Sequence, residues 1–186
     1  MNYANEKFPE DINILIQKCE EVITTIQQKF LDKECVIVKD LYHPKKGKRQ
    51  IDFVQKLQLN CNAKLSLKNK INNEVKGLYV FGEIDNSGAV KPVYVGISRT
   101  VFRRLYQHLW GTKHNEASFA YLMAKNRLNH RQHRSALNQE ELFSEQQKMK
   151  NFRLVVIPED LEYDLYFMEI YISGRLKTKW NSFKTH

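Results

Sequence analysis

Apolar and polar positions along the chain change period several times, and each change marks an element. Ile12, Leu15, Ile16, Cys19, Val22, Ile23, Ile26 and Phe30 recur at helical spacing and form one stripe. Pro9, Glu10 and Asp11 suit the first turn of that helix, where proline loses no hydrogen bond and carboxylates meet the positive end of the dipole. The stripe must be covered, either by the rest of this chain or by a second subunit. Cys35-Val36-Ile37-Val38 reads as a strand, and His43 to Arg49 as an exposed basic turn. Ile51 to Leu67 fits helix or strands equally well. Lys68 to Lys76 is polar and reads as a connector.

From Gly77 the pattern sharpens. Leu78-Tyr79-Val80-Phe81 lies between Gly77 and Gly82, and Val93-Tyr94-Val95 is closed by Gly96. Asp85-Asn86-Ser87-Gly88 separates them, so the two runs read as paired strands joined by a loop. Then Val101, Leu105 and Leu109 recur every fourth residue, which predicts a helix. Arg104 and His108 share one face of it. Ala117 to Leu128 predicts an amphipathic helix capped by Asn115 or Ser118. Glu140 to Lys150 predicts a polar surface helix. Phe152 to Ile157 predicts a strand ended by Pro158. Leu161 to Leu176 predicts a helix with Asp160 as its cap.

Composition places the chain among ordinary globular proteins: 186 residues, 42% hydrophobic and 27% charged. Lys and Arg total 30 against 21 Asp and Glu, a formal charge of +9, which suits a polyanionic partner. Two basic clusters could meet phosphates: Lys45, Lys46, Lys48 and Arg49 in one, and Arg127, Arg131 and Arg134 in the other. His130 and His133 are a poor metal pair, because the adjacent arginines repel a cation and no carboxylate stands among them. Cys19, Cys35 and Cys61 are odd in number and widely spaced, so neither a disulfide framework nor a zinc cluster is expected. The start lacks the apolar core of a signal peptide, and no run approaches membrane-spanning length; a reduced, cytoplasmic location is expected.

Gly77-Leu78-Tyr79, Tyr94-Val95-Gly96, Arg104, His108, Glu169 and Asn181, in that order, resemble the GIY-YIG nuclease family. The match covers about residues 75–110 and 152–186. It departs from the family at Ile97-Ser98, where many members carry a lysine; Arg99 follows and can substitute. The resemblance implies an α/β (α+β) domain with a small, mainly antiparallel sheet flanked by helices. Residues 77–186 would form the nuclease-like domain, with a helical insertion at about 111–151. Residues 1–76 would be an N-terminal helical extension.

The implied activity is divalent-metal-dependent endonuclease cleavage of DNA. Tyr94 is the expected general base, with Tyr79 supporting the nucleophile, although either tyrosine fits the family's base. Arg104 would hold a phosphate oxygen and lower the tyrosine pKa, and His108 would relay or accept the proton. Glu169 would ligate one Mg²⁺ or Mn²⁺. Asn181 would orient the phosphate or the metal shell. Arg99 and Arg103 join the two basic clusters as nucleic-acid contacts. Two other functions stay open: a binding module without the chemistry, and a structure-selective nuclease on branched DNA or RNA.

Overall fold

The central strand is the most apolar segment. The computed structural model describes Lys7 and residues 11–43, 47–50, 52–59, 74–113, 115–129 and 137–183. In it β1 (Gly77–Ile84) is buried from Gly77 to Gly82 and pairs antiparallel on both sides. Its neighbours are β2 (Val90–Ser98) and β3 (Arg153–Pro158), giving a three-stranded sheet of order β2-β1-β3. Because β1 is flanked on both edges, both of its faces must be covered, and its side chains alternate between two cores.

On one face, Tyr79, Phe81, Leu154 and Val156 pack with α3 (Val101–Trp110), α4 (Ser118–Arg127) and α5 (Gln139–Met149). On the other, Leu78, Val80, Val95 and Val155 pack with α1 (Ile12–Leu31) and α6 (Glu162–Leu176). The fold is therefore α+β, a small antiparallel sheet flanked by helices, as the resemblance implied. In β2 the pairing steps from Phe81↔Tyr94 to Gly82↔Pro92, leaving Val93 as a bulge. Tyr94 stays on the face of Tyr79 and Phe81.

The helical stripe of α1 is covered by this chain. Cys19, Ile23, Ile26 and Phe30 enter the second core, and Asp11 caps the helix by accepting from the Asn13 N–H at 2.8 Å. Lys18 bridges to Glu159 at 2.5 Å and to Asp164 at 2.7 Å, tying α1 to the start of α6. Glu20 accepts from Tyr171 and Arg175 near its end.

Several local expectations need correction. Cys35–Val38 is not a strand: it makes one bridge, Ile37↔Arg153, and then turns into a 3₁₀ helix, Val38–Leu41. Val38 and Leu41 both enter the first core; an extended chain would send residues three apart to opposite sides. Asp160 does not cap α6; the Glu159 carboxylate takes the Asp160 and Leu161 N–H groups instead. Neither Asn115 nor Ser118 caps α4 through its side chain; the Ser118 hydroxyl is taken by Arg104, which also donates to the Asn115 backbone carbonyl. Of the ambiguous stretch, Phe53–Lys56 forms the short helix α2. Positions 60–73 lie outside the described residues, as do Pro9, Glu10, Lys45, Lys46, His130, Arg131, His133 and Arg134.

Ile26 is fully buried between α1 and the sheet. Ile26→Ala should cost roughly 2–5 kcal/mol in urea unfolding. A loss well under about 1 kcal/mol would show that α1 is not docked there.

Candidate active site

Tyr79 sits on β1 opposite Gly96 on β2. A Cβ at Gly96 would collide with the hydroxyl of Tyr79, so only glycine lets that ring cross the neighbouring strand. The Tyr79 hydroxyl reaches Nε2 of His108 on α3 at 2.9 Å. Tyr94 completes a triangle of rings, with centroids 6.3 Å from Tyr79 and 5.7 Å from His108. Phe119 of α4 stacks on Tyr94 at 4.5 Å and 11°. The two signatures and the helix therefore converge on one face of the sheet. Tyr79 and His108 are completely buried, whereas Tyr94 keeps partial access to solvent.

Burial dominates the electrostatics. It raises the Tyr79 phenol well above its ordinary range. It also raises Tyr94, against the nearby charge of Arg104. Burial, followed by the Arg104 charge, lowers His108 well below an ordinary histidine. At neutral pH the cluster is thus two phenols and a neutral imidazole. Arg104 acts to lower both phenols, as expected, but desolvation outweighs it. Its guanidinium is held by the carbonyls of Asn115 (3.2 Å) and Glu116 (3.1 Å) and by the Ser118 hydroxyl (2.8 Å).

Glu169 lies on α6, half-buried, with no hydrogen bond or ion pair among the described residues. Burial lifts its carboxyl to about 7, and its charge is felt by both Tyr79 and Tyr94. Among the described residues no cluster of three or more His, Cys, Asp or Glu side chains could hold a metal. A lone, desolvated carboxylate is still a fitting ligand for one hard cation that keeps most of its waters. Its unpaired negative charge is the feature a dication would offset.

Asn181 is used differently from the expectation. Its amide oxygen accepts from the Val95 N–H at 2.8 Å and from Thr178 at 2.8 Å, and its nitrogen donates to the Val95 carbonyl at 2.7 Å. The side chain pairs with the free edge of β2 as another strand would. With Trp180 N–H on the Val93 carbonyl, it docks the C-terminal tail beside Tyr94.

The expected phosphate contacts divide. Lys48 and Arg103 are exposed. Arg49 lies over the Phe53 and Phe102 rings, with Glu74 at 4.0 Å. Arg99 pairs with Glu162 at 2.7 Å; that glutamate also holds Lys76 and is not the free surface residue its position suggests. Arg127 is bound at 2.6 Å to Glu145, a buried carboxylate that also takes Lys148. Lys45, Lys46, Arg131 and Arg134 fall outside the described residues.

Comparison with family models, curated proteins and solved structures gives no match to this chain. The site therefore rests on its own geometry. Three positions that no motif marks support it. Glu74 accepts the Phe102 and Arg103 N–H groups and so caps α3. Gln146 donates to the His108 and Gly111 carbonyls at the other end. Ser118 holds Arg104. Each acts across a long stretch of sequence, and only their polar character was visible beforehand.

Glu169 gives a pH signature. Its folded pKa exceeds the ordinary carboxyl value of 4.5, so the folded protein keeps a proton that the unfolded chain has released. Its effect is absent below about 4.5, grows more destabilising as pH rises from there to about 7, and is constant above that. Glu169→Gln should therefore leave stability unchanged at low pH and raise it above pH 7 by on the order of 2 kcal/mol, read by urea unfolding. Parallel pH profiles for the two proteins would mean the carboxyl is solvated.

Proposed function

We propose that the protein is a divalent-metal-dependent endonuclease acting on DNA, with its catalytic site at Tyr94, Tyr79, His108, Arg104 and Glu169. The observation that supports this reading most directly is the ring cluster on one sheet face, with a guanidinium beside it and an unpaired carboxylate electrostatically coupled to both tyrosines. The +9 charge suits the substrate, and a cytoplasmic location belongs to the same proposal. Among the described residues no helix is long and apolar enough to cross a membrane.

Tyr94, the tyrosine with solvent access, faces the attacking water and takes its proton. Its own proton passes toward Tyr79, and the Tyr79 proton moves to Nε2 of the neutral His108. This requires the imidazole tautomer with hydrogen on Nδ1, an atom with no hydrogen-bond partner among the described residues. Arg104, fixed by the 115–118 turn, keeps a guanidinium edge for a phosphate oxygen. Glu169 would hold a Mg²⁺ or Mn²⁺ ion, which supplies positive charge for the leaving oxygen. Asn181 positions β2, and hence Tyr94.

A second reading, a nucleic-acid-binding module without turnover, draws on the raised phenols and on the donors that Arg104 gives to its own chain. One assay series separates the two. Plasmid, linear and branched DNA and RNA are incubated with and without Mg²⁺, and binding is measured at matched salt. Mg²⁺-dependent cleavage is expected, lost in Glu169→Gln with binding retained. Tyr94→Phe should slow cleavage about a hundredfold or more, and Tyr79→Phe less. The reverse order at equal stability would give Tyr79 the base role. Binding without cleavage of any substrate would select the second reading.

A further inference from the structure

Helix α3 and the insertion together carry a surface that the cleavage site does not use. Tyr106 and Trp110 lie one turn apart on α3, on the side opposite Arg104 and His108. Their rings stack at 5.4 Å and 19°. The Lys150 ammonium, at the end of α5, stands 4.8 Å from the Trp110 ring and 5.9 Å from Phe143. Phe143 is 58% exposed and Tyr106 45%. Between α3 and α5 runs an open groove of about 490 Å³, lined by Leu109, Trp110 and Phe143 and by the polar side chains of Thr112, Gln139 and Glu140.

The groove's occupant can be argued from shape and charge. Flat apolar walls with a cation between them suit a planar, uncharged ring attached to an anion. Gly47, in the left-handed conformation at φ 57°, backs onto Tyr106 and Trp110, where a Cβ would stand a tight 3.2 and 3.3 Å from the two rings. The backbone at Gly47 is thus seated against the same helix, and Lys48, the next residue, is exposed. A nucleotide combines a π-face with a phosphate; exposed aromatics beside cations are how single strands are held without sequence preference. Duplex DNA keeps its bases stacked inside and offers no ring to the groove.

We infer that the groove between α3 and α5 is a stacking platform for an unpaired nucleobase, so that the protein's nucleic-acid substrate contains a single-stranded segment. An entering base stacks on Trp110 against Phe143. It displaces Lys150 from the ring face, and the ammonium then meets the adjoining phosphate. The inference rests on the nucleic-acid reading above, and not on the cleavage chemistry.

The chain has two tryptophans, so Trp180→Phe leaves Trp110 as the only fluorescent indole. In that background, a short single-stranded DNA and the same strand annealed to its complement are titrated at matched salt. The single strand should quench Trp110, and the blunt duplex should not. Phe143→Ala, a change at an exposed site, should weaken single-strand binding about fivefold or more and leave duplex binding unchanged. Phe143→Tyr should restore it. Salt-dependent binding of both DNAs with no Trp110 response, or equal loss of both in Phe143→Ala, would overturn the platform while leaving the nuclease reading intact. Selective quenching in a protein that cleaves nothing would sink the nuclease reading and keep the platform.

Discussion

The bond between the Tyr79 hydroxyl and His108 Nε2 joins the central strand to the helix packed on it, inside a core closed to water. Two polar groups buried this deeply are tolerated only if they satisfy each other. That requirement sets the register of α3 over the sheet and the glycine at position 96, above which the Tyr79 ring must pass. It also sets the protonation state, since desolvation holds the imidazole neutral and the phenol protonated. Packing and chemistry are thus determined by one contact.

Helix α3 does not hold itself in place. Its N-terminal N–H groups are taken by Glu74 from the connector, and its C-terminal carbonyls by Gln146 from α5. Its arginine is held by the turn before α4. Residues outside the two signatures therefore build the site's geometry, and the segment at 111–151 is a supporting wall of it. The same arrangement turns Tyr106 outward and leaves Trp110 half-buried against Tyr42, because Arg104 and His108 occupy the inner side.

Glu169 and Asn181 show how one motif can carry unlike roles. Among the described residues Glu169 has no partner, and burial raises its pKa and suits it to positive charge. Asn181 is satisfied by the backbone of β2 and behaves as a surrogate strand edge.

Periodicity alone determined the long elements. The stripe of α1, the paired runs of β1 and β2, the four-residue repeat of α3 and the runs of β3 and α6 all stand where their spacing put them, because a covered face demands a regular apolar pattern. The order of Tyr79, Tyr94, Arg104, His108 and Glu169 was equally visible. Tertiary structure decided the rest. The short 35–41 segment turns because Val38 and Leu41 both find the same core. Asp160 gives up capping because Glu159 reaches the N–H groups first, and Ser118 because Arg104 takes its hydroxyl. Arg127 is committed to a buried carboxylate eighteen residues away. The pKa values of the tyrosines depend on how much water the packed helices exclude. These outcomes turn on partners distant in sequence, and local pattern carries no record of which partner arrives.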